Sequence, residues 1–507
     1  MIPFSYLPYL APEILLTVWA MVLLLAEAFL SLTPRVTARL ALAGIVILAI
    51  GTLFIEVPAS PHALVFWNGL CKWDGAAKFF HVFFLAVAAL VIWMGDEVQE
   101  PLTNGGEFAI LPLFTTVGLM LLASANDFMV LFVALELVTI SFYILVAYQH
   151  RNPVALEAGV KYLILGALSS AFLVMGIAYI FGVTGTTHFD PLTRIVTYRF
   201  PEIPTALGFG LLLVLVGVGF KIAMVPFHIW GPDVYEGAPN SITAFLSVGS
   251  KAGGLIILMR IVLEVFGAGK AAEIWYPALY VGAILSLLLG NLAAIPQRNL
   301  KRLLGYSSIG HSGFILVAVI GSAAVLPGKP NALPLDIITG QTTVSVYLVT
   351  YLLATFTAFI VLAVLNRRLG GLEIHHLAGL SQRSPLLAAA FALSLVSLAG
   401  VPPLSGFIAK ALVILVAWNR HLYLLLFFTL FAAVAALYYY LGPIKAMYWS
   451  EPLDETPIRV NRSTSVVLTI LMVLLVVTGF WAQSIATVVT GSTLAQAPIA
   501  APVVAQH

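Results

Sequence analysis

Apolar runs of about twenty residues recur along nearly the whole of this chain, and that repetition limits the fold more than any other feature. The hydrocarbon core of a bilayer is about 30 Å thick, and a helix of about 20 residues crosses it. Read between polar breaks, the chain holds about fourteen such runs. They lie near 11–31, 38–56, 77–95, 108–124, 127–148, 155–182, 205–228, 240–264, 275–295, 302–322, 342–366, 385–417, 421–447 and 464–488. No water is available in the core to bond exposed amides, so spans of this length are helices. The expected fold is an all-α polytopic membrane protein. Hydrophobic residues make up 61% of the 507, and charged residues only 9%, against about 25% in a soluble domain. Little chain is left for a soluble domain.

The first run contains Glu13 and Glu27, is long enough to span and has no positive region ahead of it. The expectation is a retained helix, not a cleaved signal. An even number of spans puts both termini on one side. Arg35, Arg39, Arg151, Lys161, Arg298, Lys301, Arg302, Arg367, Arg368, Arg383, Lys445, Arg459 and Arg462 fall in or beside one alternate set of connections. The other set holds Lys72, Lys78, Arg194, Arg199, Arg260, Lys270, Lys329 and Arg420. The positive-inside rule makes the first set cytoplasmic and both termini external. The short, Ala/Pro/Val-rich tail is expected to be loosely attached.

Composition excludes several function classes. A net charge of +2 argues against a nucleic-acid partner. The single cysteine, Cys71, excludes an intrachain disulfide, a Cys-x-x-Cys redox pair, covalent haem attachment and an all-cysteine iron–sulfur cluster. Gly217 and Gly219 resemble the start of a dinucleotide loop, but Ile222 replaces the third glycine and no strand precedes them.

Against this apolar background, Glu136, Lys221, Lys251 and Lys410 stand out. A charge near mid-bilayer costs about 2.5–3.5 kcal/mol on insertion scales, so four unpaired charges cost on the order of 10 kcal/mol. Such residues face a bundle interior or a water path, which makes ion or proton movement the first functional expectation. Glu136 lies about nine residues into its run, too deep for a short side chain to snorkel, and Lys221 is its candidate partner. Lys251 is mid-run between Gly249 and Gly253, a small-residue pair that lets a neighbouring helix approach. His228 and His311 add groups that titrate near neutral pH. His311 lies in a polar stripe with Ser307, Ser308 and Ser312. Burial weakens a lysine's hold on its proton. A carboxylate about 4 Å away strengthens it by about 4 kcal/mol at an effective dielectric near 20. Bringing Glu136 toward Lys221, or moving it away, would hold or release a proton.

Two runs are interrupted. Pro226 follows Lys221 by five residues, and Pro402 and Pro403 precede Lys410. Proline cannot donate to the helical ladder and crowds the preceding turn. Both sites carry a Gly-Phe pair ahead of the lysine: Gly219 and Phe220, then Gly406 and Phe407. Broken helices at matching positions point to an internal repeat and a transport site.

At these motifs the chain resembles a known family. Phe220, Lys221, Pro226, His228, Trp230, Asp233, Tyr235, Glu236 and Pro239 match the signature of the antiporter-like membrane subunits of respiratory complex I, the NADH-quinone oxidoreductase. So do Gly290 and Asn291, the stretch from Lys301 to His311, and the stretch from Ser397 to Phe407. The match runs over roughly residues 100–450. The opening Leu10, Ala11, Pro12 and Glu13, and the overall length, suit a fourteen-helix branch without an extended lateral helix. Asn240 and Ser241 depart from the usual Thr-Pro, away from the charged positions.

The resemblance implies two inverted five-helix repeats with discontinuous helices 7 and 12. The layout would be 1–100 (three helices), 101–267 (helices 4–8), 268–450 (helices 9–13), 451–489 (helix 14) and a tail, 490–507. Glu136 and Lys221 would be the input pair, Lys251 the central lysine, Lys410 the exit-side lysine, and His228 and His311 possible relays. The implied function is proton translocation in a bacterial inner membrane, coupled to electron transfer from NADH to quinone. This chain would bind no cofactor. NADH, FMN, iron–sulfur clusters and quinone would be held by partner subunits, and its own partners would be membrane subunits such as M, K, J and A. The alternative is a stand-alone or Mrp-type cation/proton antiporter, which shares the fold.

Overall fold

The computed structural model describes residues 6–480 apart from 31, 58–63, 99–104, 201, 268, 324–339 and 453, so the tail 490–507 lies outside the described residues. α1 (Leu7–Leu30) and α2 (Pro34–Leu53) come first. A small antiparallel hairpin follows, β1 (Leu64–Phe66) with β2 (Cys71–Trp73), pairing Leu64 with Trp73 and Phe66 with Cys71. Next are α3 (Gly75–Glu97), α4 (Glu107–Ser124), α5 (Phe128–Val146), α6 (Pro153–Thr184), the short α7 (Phe189–Arg194), α8 (Thr205–Lys221) and α9 (Trp230–Gly237). α10 (Asn240–Phe245) and α11 (Lys251–Met259), joined and followed by π-helical turns at Leu246–Ser250 and Arg260–Val265, form one continuous helix. The rest are α12 (Ala272–Ala294), α13 (Leu300–Gly321), α14 (Gly340–Leu369), α15 (Leu380–Arg383), α16 (Pro385–Ala399), α17 (Ser405–Asn419), α18 (Tyr423–Trp449) and α19 (Arg462–Phe480).

Among the described residues, twelve helices are long and apolar enough to cross a membrane, and α8, α16 and α17 are shorter apolar helices. This is a multi-span membrane fold. The runs expected at 205–228 and 385–417 are not single helices: α8 stops at Lys221 and α16 at Ala399. The hairpin, α7, α15 and the π turns had no counterpart in the apolar-run reading, because they are too short or too local to alter it.

Polar residues mark the helix ends. Asp74, Asp127, Asn152 and Asn299 cap α3, α5, α6 and α13, each accepting from a first-turn amide. Connections gather at two ends of the bundle. Cys71 bridges Ala125 and Asp127 bridges His188 at one end, while Asn299 bridges Glu373 at the other.

Burial sorts the helices into an inner and an outer set. The most apolar window of Asn240–Val265 is 100% buried within the chain, and those of α13 and α14 are each 94% buried; for α1 and α19 the figure is 22%. Outer helices present Ile47, Val133, Ile164 and Val434 outward, as a lipid-facing surface requires. Inner helices are held close by small residues. A Cβ on Gly290 of α12 would lie 2.3 Å from the Gly310 amide nitrogen of α13, so only glycine allows these backbones to meet there.

The two interruptions satisfy their freed backbone groups inside protein, as membrane depth demands. After α8, the Ile222 carbonyl accepts from Ser312 Oγ at 2.5 Å and the Phe220 carbonyl from Trp230 Nε1 at 3.0 Å. The Val225 amide donates to Ser286 Oγ at 3.0 Å. After α16, Gly400 turns the chain at φ +85°, and the Gly406 amide donates to Ser397 Oγ at 3.1 Å.

Candidate functional site

The three lysines that stood out in the sequence lie on the inner side of the bundle, at 5% (Lys221), 2% (Lys251) and 4% (Lys410) exposure. Each ammonium has polar partners and an aromatic face, the combination that makes a buried cation tolerable.

Lys221 is the last residue of α8. Its Nζ donates to Thr139 Oγ1 of α5 and stands 5.5 Å from the Phe220 ring centroid. Glu136, one turn before Thr139 on the same helix, accepts from Ser170 Oγ of α6 at 2.5 Å. The direct contact expected between Glu136 and Lys221 is therefore not made in this structure. Thr139 takes the lysine and Ser170 takes the carboxylate, with both acceptor groups carried on α5.

Lys251 starts α11 directly after a π turn. Such turns widen the helix by one residue and re-aim the next side chain. Its Nζ donates to Ser308 Oγ at 2.5 Å and to the Ser308 carbonyl, and lies 5.3 Å from the Tyr351 ring. Ser308 is a junction: Tyr235 Oη lies 2.8 Å and Tyr351 Oη 3.1 Å from its hydroxyl. Its carbonyl also accepts from Ser312 Oγ at 3.2 Å, the same hydroxyl that reaches the Ile222 carbonyl beside Lys221. Gly253 admits α4: a Cβ there would lie 2.6 Å from Leu119.

His311, three residues beyond Ser308 on α13, has its Nδ1 2.6 Å from Tyr347 Oη and packs its ring on Tyr351 at 4.9 Å. A cavity with room for about one water is lined by His311, Tyr347, Thr350, Tyr351, Ser397 and Lys410, among others. Lys410 Nζ donates to the Ala399 carbonyl at the end of α16 (2.8 Å) and stands 4.7 Å from the Phe314 ring. The carbonyl freed by the second break thus holds the lysine itself.

The side chains follow one another from Glu136 and Ser170, through Thr139 and Lys221, Ser312, Ser308 and Lys251, to His311 and Lys410. His228 stands apart. It is half-buried in the first break, with Nδ1 enclosed and without a hydrogen-bond partner.

Thr139, Ser170, Tyr347 and Tyr351 escaped the sequence reading, and Tyr235 entered it only as part of the family signature. A hydroxyl in an apolar run carries no charge signal, and i,i+3 or i,i+4 spacing from Glu136 or His311 could have suggested only Thr139. Two ion networks were also missed. At one end Arg260, counted from sequence among the basic residues in or beside a connection, is 1% exposed. It binds Asp74 through two contacts at 3.0 and 3.1 Å and Glu264 at 3.1 Å. Lys72 pairs with Glu264. Burial pushes the Asp74 carboxyl up, but Arg260 and Lys72 outweigh it and hold it below its ordinary value. At the other end, Arg302 is more than the anchor expected: it joins Asp233 at 2.7 Å and Glu236 at 2.9 Å, while Lys161 reaches Asp233 at 2.6 Å. This ties α6 and α13 to α9.

Residues 125–436 match the family described as NADH:quinone oxidoreductase/Mrp antiporter, transmembrane region. NADH-quinone oxidoreductase subunit N of Desulforamulus reducens is 38% identical over 426 residues, covering 84% of this chain and 85% of that one. A chain of respiratory complex I from Thermus thermophilus superposes with a TM-score of 0.77 at 29% identity, covering 94% of this chain and 98% of its own. A chain of the Mrp complex from a Dietzia species gives 0.82 at 19% identity over 95% and 96%, a likeness of fold alone. With its broken helices and buried lysines in place, the chain belongs to the NADH:quinone oxidoreductase/Mrp antiporter family of membrane subunits, on the branch of NADH-quinone oxidoreductase subunit N.

Proposed function

We propose that this chain is a proton-translocating subunit in the membrane arm of a bacterial NADH-quinone oxidoreductase, with Glu136, Lys221, Lys251, Lys410 and His311 as its relay. The observation that carries the reading is the succession of polar side chains, from α5 and α6 at its Glu136 end into the inner helices, whose most apolar windows are 94–100% buried. Scaffolding requires no charge there, and each one costs about 2.5–3.5 kcal/mol to insert. Because Thr139 holds Lys221 while Ser170 holds Glu136, a small shift of α5 against α6 and α8 alters the distance between carboxylate and ammonium. That distance sets how firmly Lys221 keeps its proton. The hydroxyls of Ser312, Ser308 and Tyr351 both donate and accept, so they can pass a proton on toward His311 and Lys410. His228 contributes to the first break without a contact to this path.

The two breaks, each beside a lysine, support two inverted five-helix units at 101–267 and 268–450, with helices 7 and 12 discontinuous and about fourteen spans in all. The chain would sit in the bacterial plasma membrane with both termini external, among other membrane subunits of the complex such as M, K, J and A. NADH, FMN, iron–sulfur clusters and quinone would belong to partner subunits. The test is proton pumping per electron in membrane vesicles carrying Lys221→Ala or Glu136→Ala. Loss of pumping with the complex assembled supports the relay; unchanged pumping overturns it. Cation/proton antiport by the isolated chain, outside any oxidoreductase, would favour the Mrp-type reading.

A further inference from the structure

A second buried acid–base pair lies away from this axis, among the first helices. Glu13, in the second turn of α1, is 3% exposed, and His81, in the second turn of α3, is 0% exposed. His81 Nε2 lies 2.8 Å from Glu13 Oε1. The other ring nitrogen, Nδ1, lies 2.6 Å from the Ala77 carbonyl. A carbonyl can only accept, so Nδ1 carries a proton and donates it. The contact between Nε2 and Oε1 then needs one proton of its own, because two bare lone pairs at that distance repel. Ser124 Oγ at the end of α4 stands 3.4 Å from Oε1 and 3.5 Å from Nε2. One hydroxyl hydrogen cannot serve both.

Glu13 Oε2 is buried without a hydrogen-bond partner. A bare oxygen costs more on an ionised carboxylate than on a neutral acid. This favours the form with the proton on Oε1, facing a neutral imidazole. Among the described residues the nearby cations are committed elsewhere, Lys72 to Glu264. The Trp73 ring meets His81 edge-on at 5.0 Å. Burial pushes the Cys71 thiol up, which keeps it neutral. Arg260 is committed to Asp74 and Glu264, and Lys78 to the Leu53 and Ile55 carbonyls. Asp127 is held by the Met129 amide, Thr187 and His188.

We propose that Glu13 and His81 form a further proton-binding site, holding one exchangeable proton between α1, α3 and α4, with Glu13 as a neutral acid at rest. The site uses none of the relay residues and stands independently of the relay. Its link to the rest of the fold runs through α4. Ser124 follows Ala123, whose carbonyl accepts from Arg260 Nε at 2.9 Å and Nη2 at 2.5 Å.

Infrared difference spectroscopy on the assembled complex in vesicles tests this. The expected result is a carboxylic-acid carbonyl band at neutral pH that shifts in D2O, disappears in Glu13→Gln and moves in frequency in His81→Gln. A band that survives Glu13→Gln in assembled complex overturns the assignment, as does one unmoved by D2O, since the proton would then not exchange. Should Glu13→Gln fail to assemble, His81→Gln decides alone: an unmoved band overturns the proposal.

Discussion

Replacing Arg260 with methionine should destabilise the chain by about 3–5 kcal/mol, the cost of leaving buried charges without their partner. Five donor contacts disappear: two to the Ala123 carbonyl, two to Asp74 and one to Glu264. The cluster is balanced as it stands, with Lys72 and Arg260 against Asp74 and Glu264. Without Arg260, one cation faces two carboxylates at a site 1–11% exposed. Arg260→Met with Asp74→Asn restores the balance and keeps the Lys72–Glu264 pair. The double variant should therefore lose less than the sum of the single ones, with a coupling energy of about 1–3 kcal/mol. Denaturant unfolding of the full-length chain in detergent micelles measures each term. pH adds a second reading. The Asp74 carboxyl is held below its ordinary value, so its contribution is present above the unfolded carboxylate range near 4 and fades as pH falls below it. Arg260→Met should remove most of that acid-sensitive step. A single variant within about 1 kcal/mol of the parent, as for an exposed pair, or strictly additive losses, would refute the reasoning.

Two further outcomes bear on the buried axis. Thr139→Val removes the hydroxyl that accepts from Lys221; a bond to a charged group is worth about 1.5–3 kcal/mol. Pumping per electron should fall about tenfold or more and recover in Thr139→Ser; pumping at the parental level in Thr139→Val would refute the role. Gly400→Ala places a Cβ 2.6 Å from Lys410 Cδ at a φ of +85°, a conformation costing a non-glycine residue about 1–2 kcal/mol. The variant should displace Lys410 from the Ala399 carbonyl and lower pumping while assembly, read by the amount of complex in the membrane, persists.

The sequence was most legible where the signal was energetic and local. Lys221, Lys251 and Lys410 stood out because an ammonium in an apolar run is costly whatever surrounds it. Pro226 and Pro402 located both interruptions because proline breaks a helix by its own covalent geometry. Glu136 was legible as an acid in an apolar run, yet it is only partly buried, and its immediate partner was not legible. Distance along the chain cannot reveal that Ser170, thirty-four residues on, reaches it.

What the sequence determined by itself was the class of molecule: a bundle of apolar helices, two of them broken beside lysines, with motifs that place it among the antiporter-like subunits. The helices and their breaks follow from hydropathy, helix length and proline, which act within one segment; the family placement rests on the resemblance of the motifs. Tertiary structure alone decided which helices lie inside, that Ser308 joins Lys251 to Tyr235 and Tyr351, and that Arg260 is buried in an ion network. It also brought Glu13 to His81, sixty-eight residues apart. Hydrogen bonds and ion pairs need approach to within about 3–4 Å, and only packing between distant segments sets that distance.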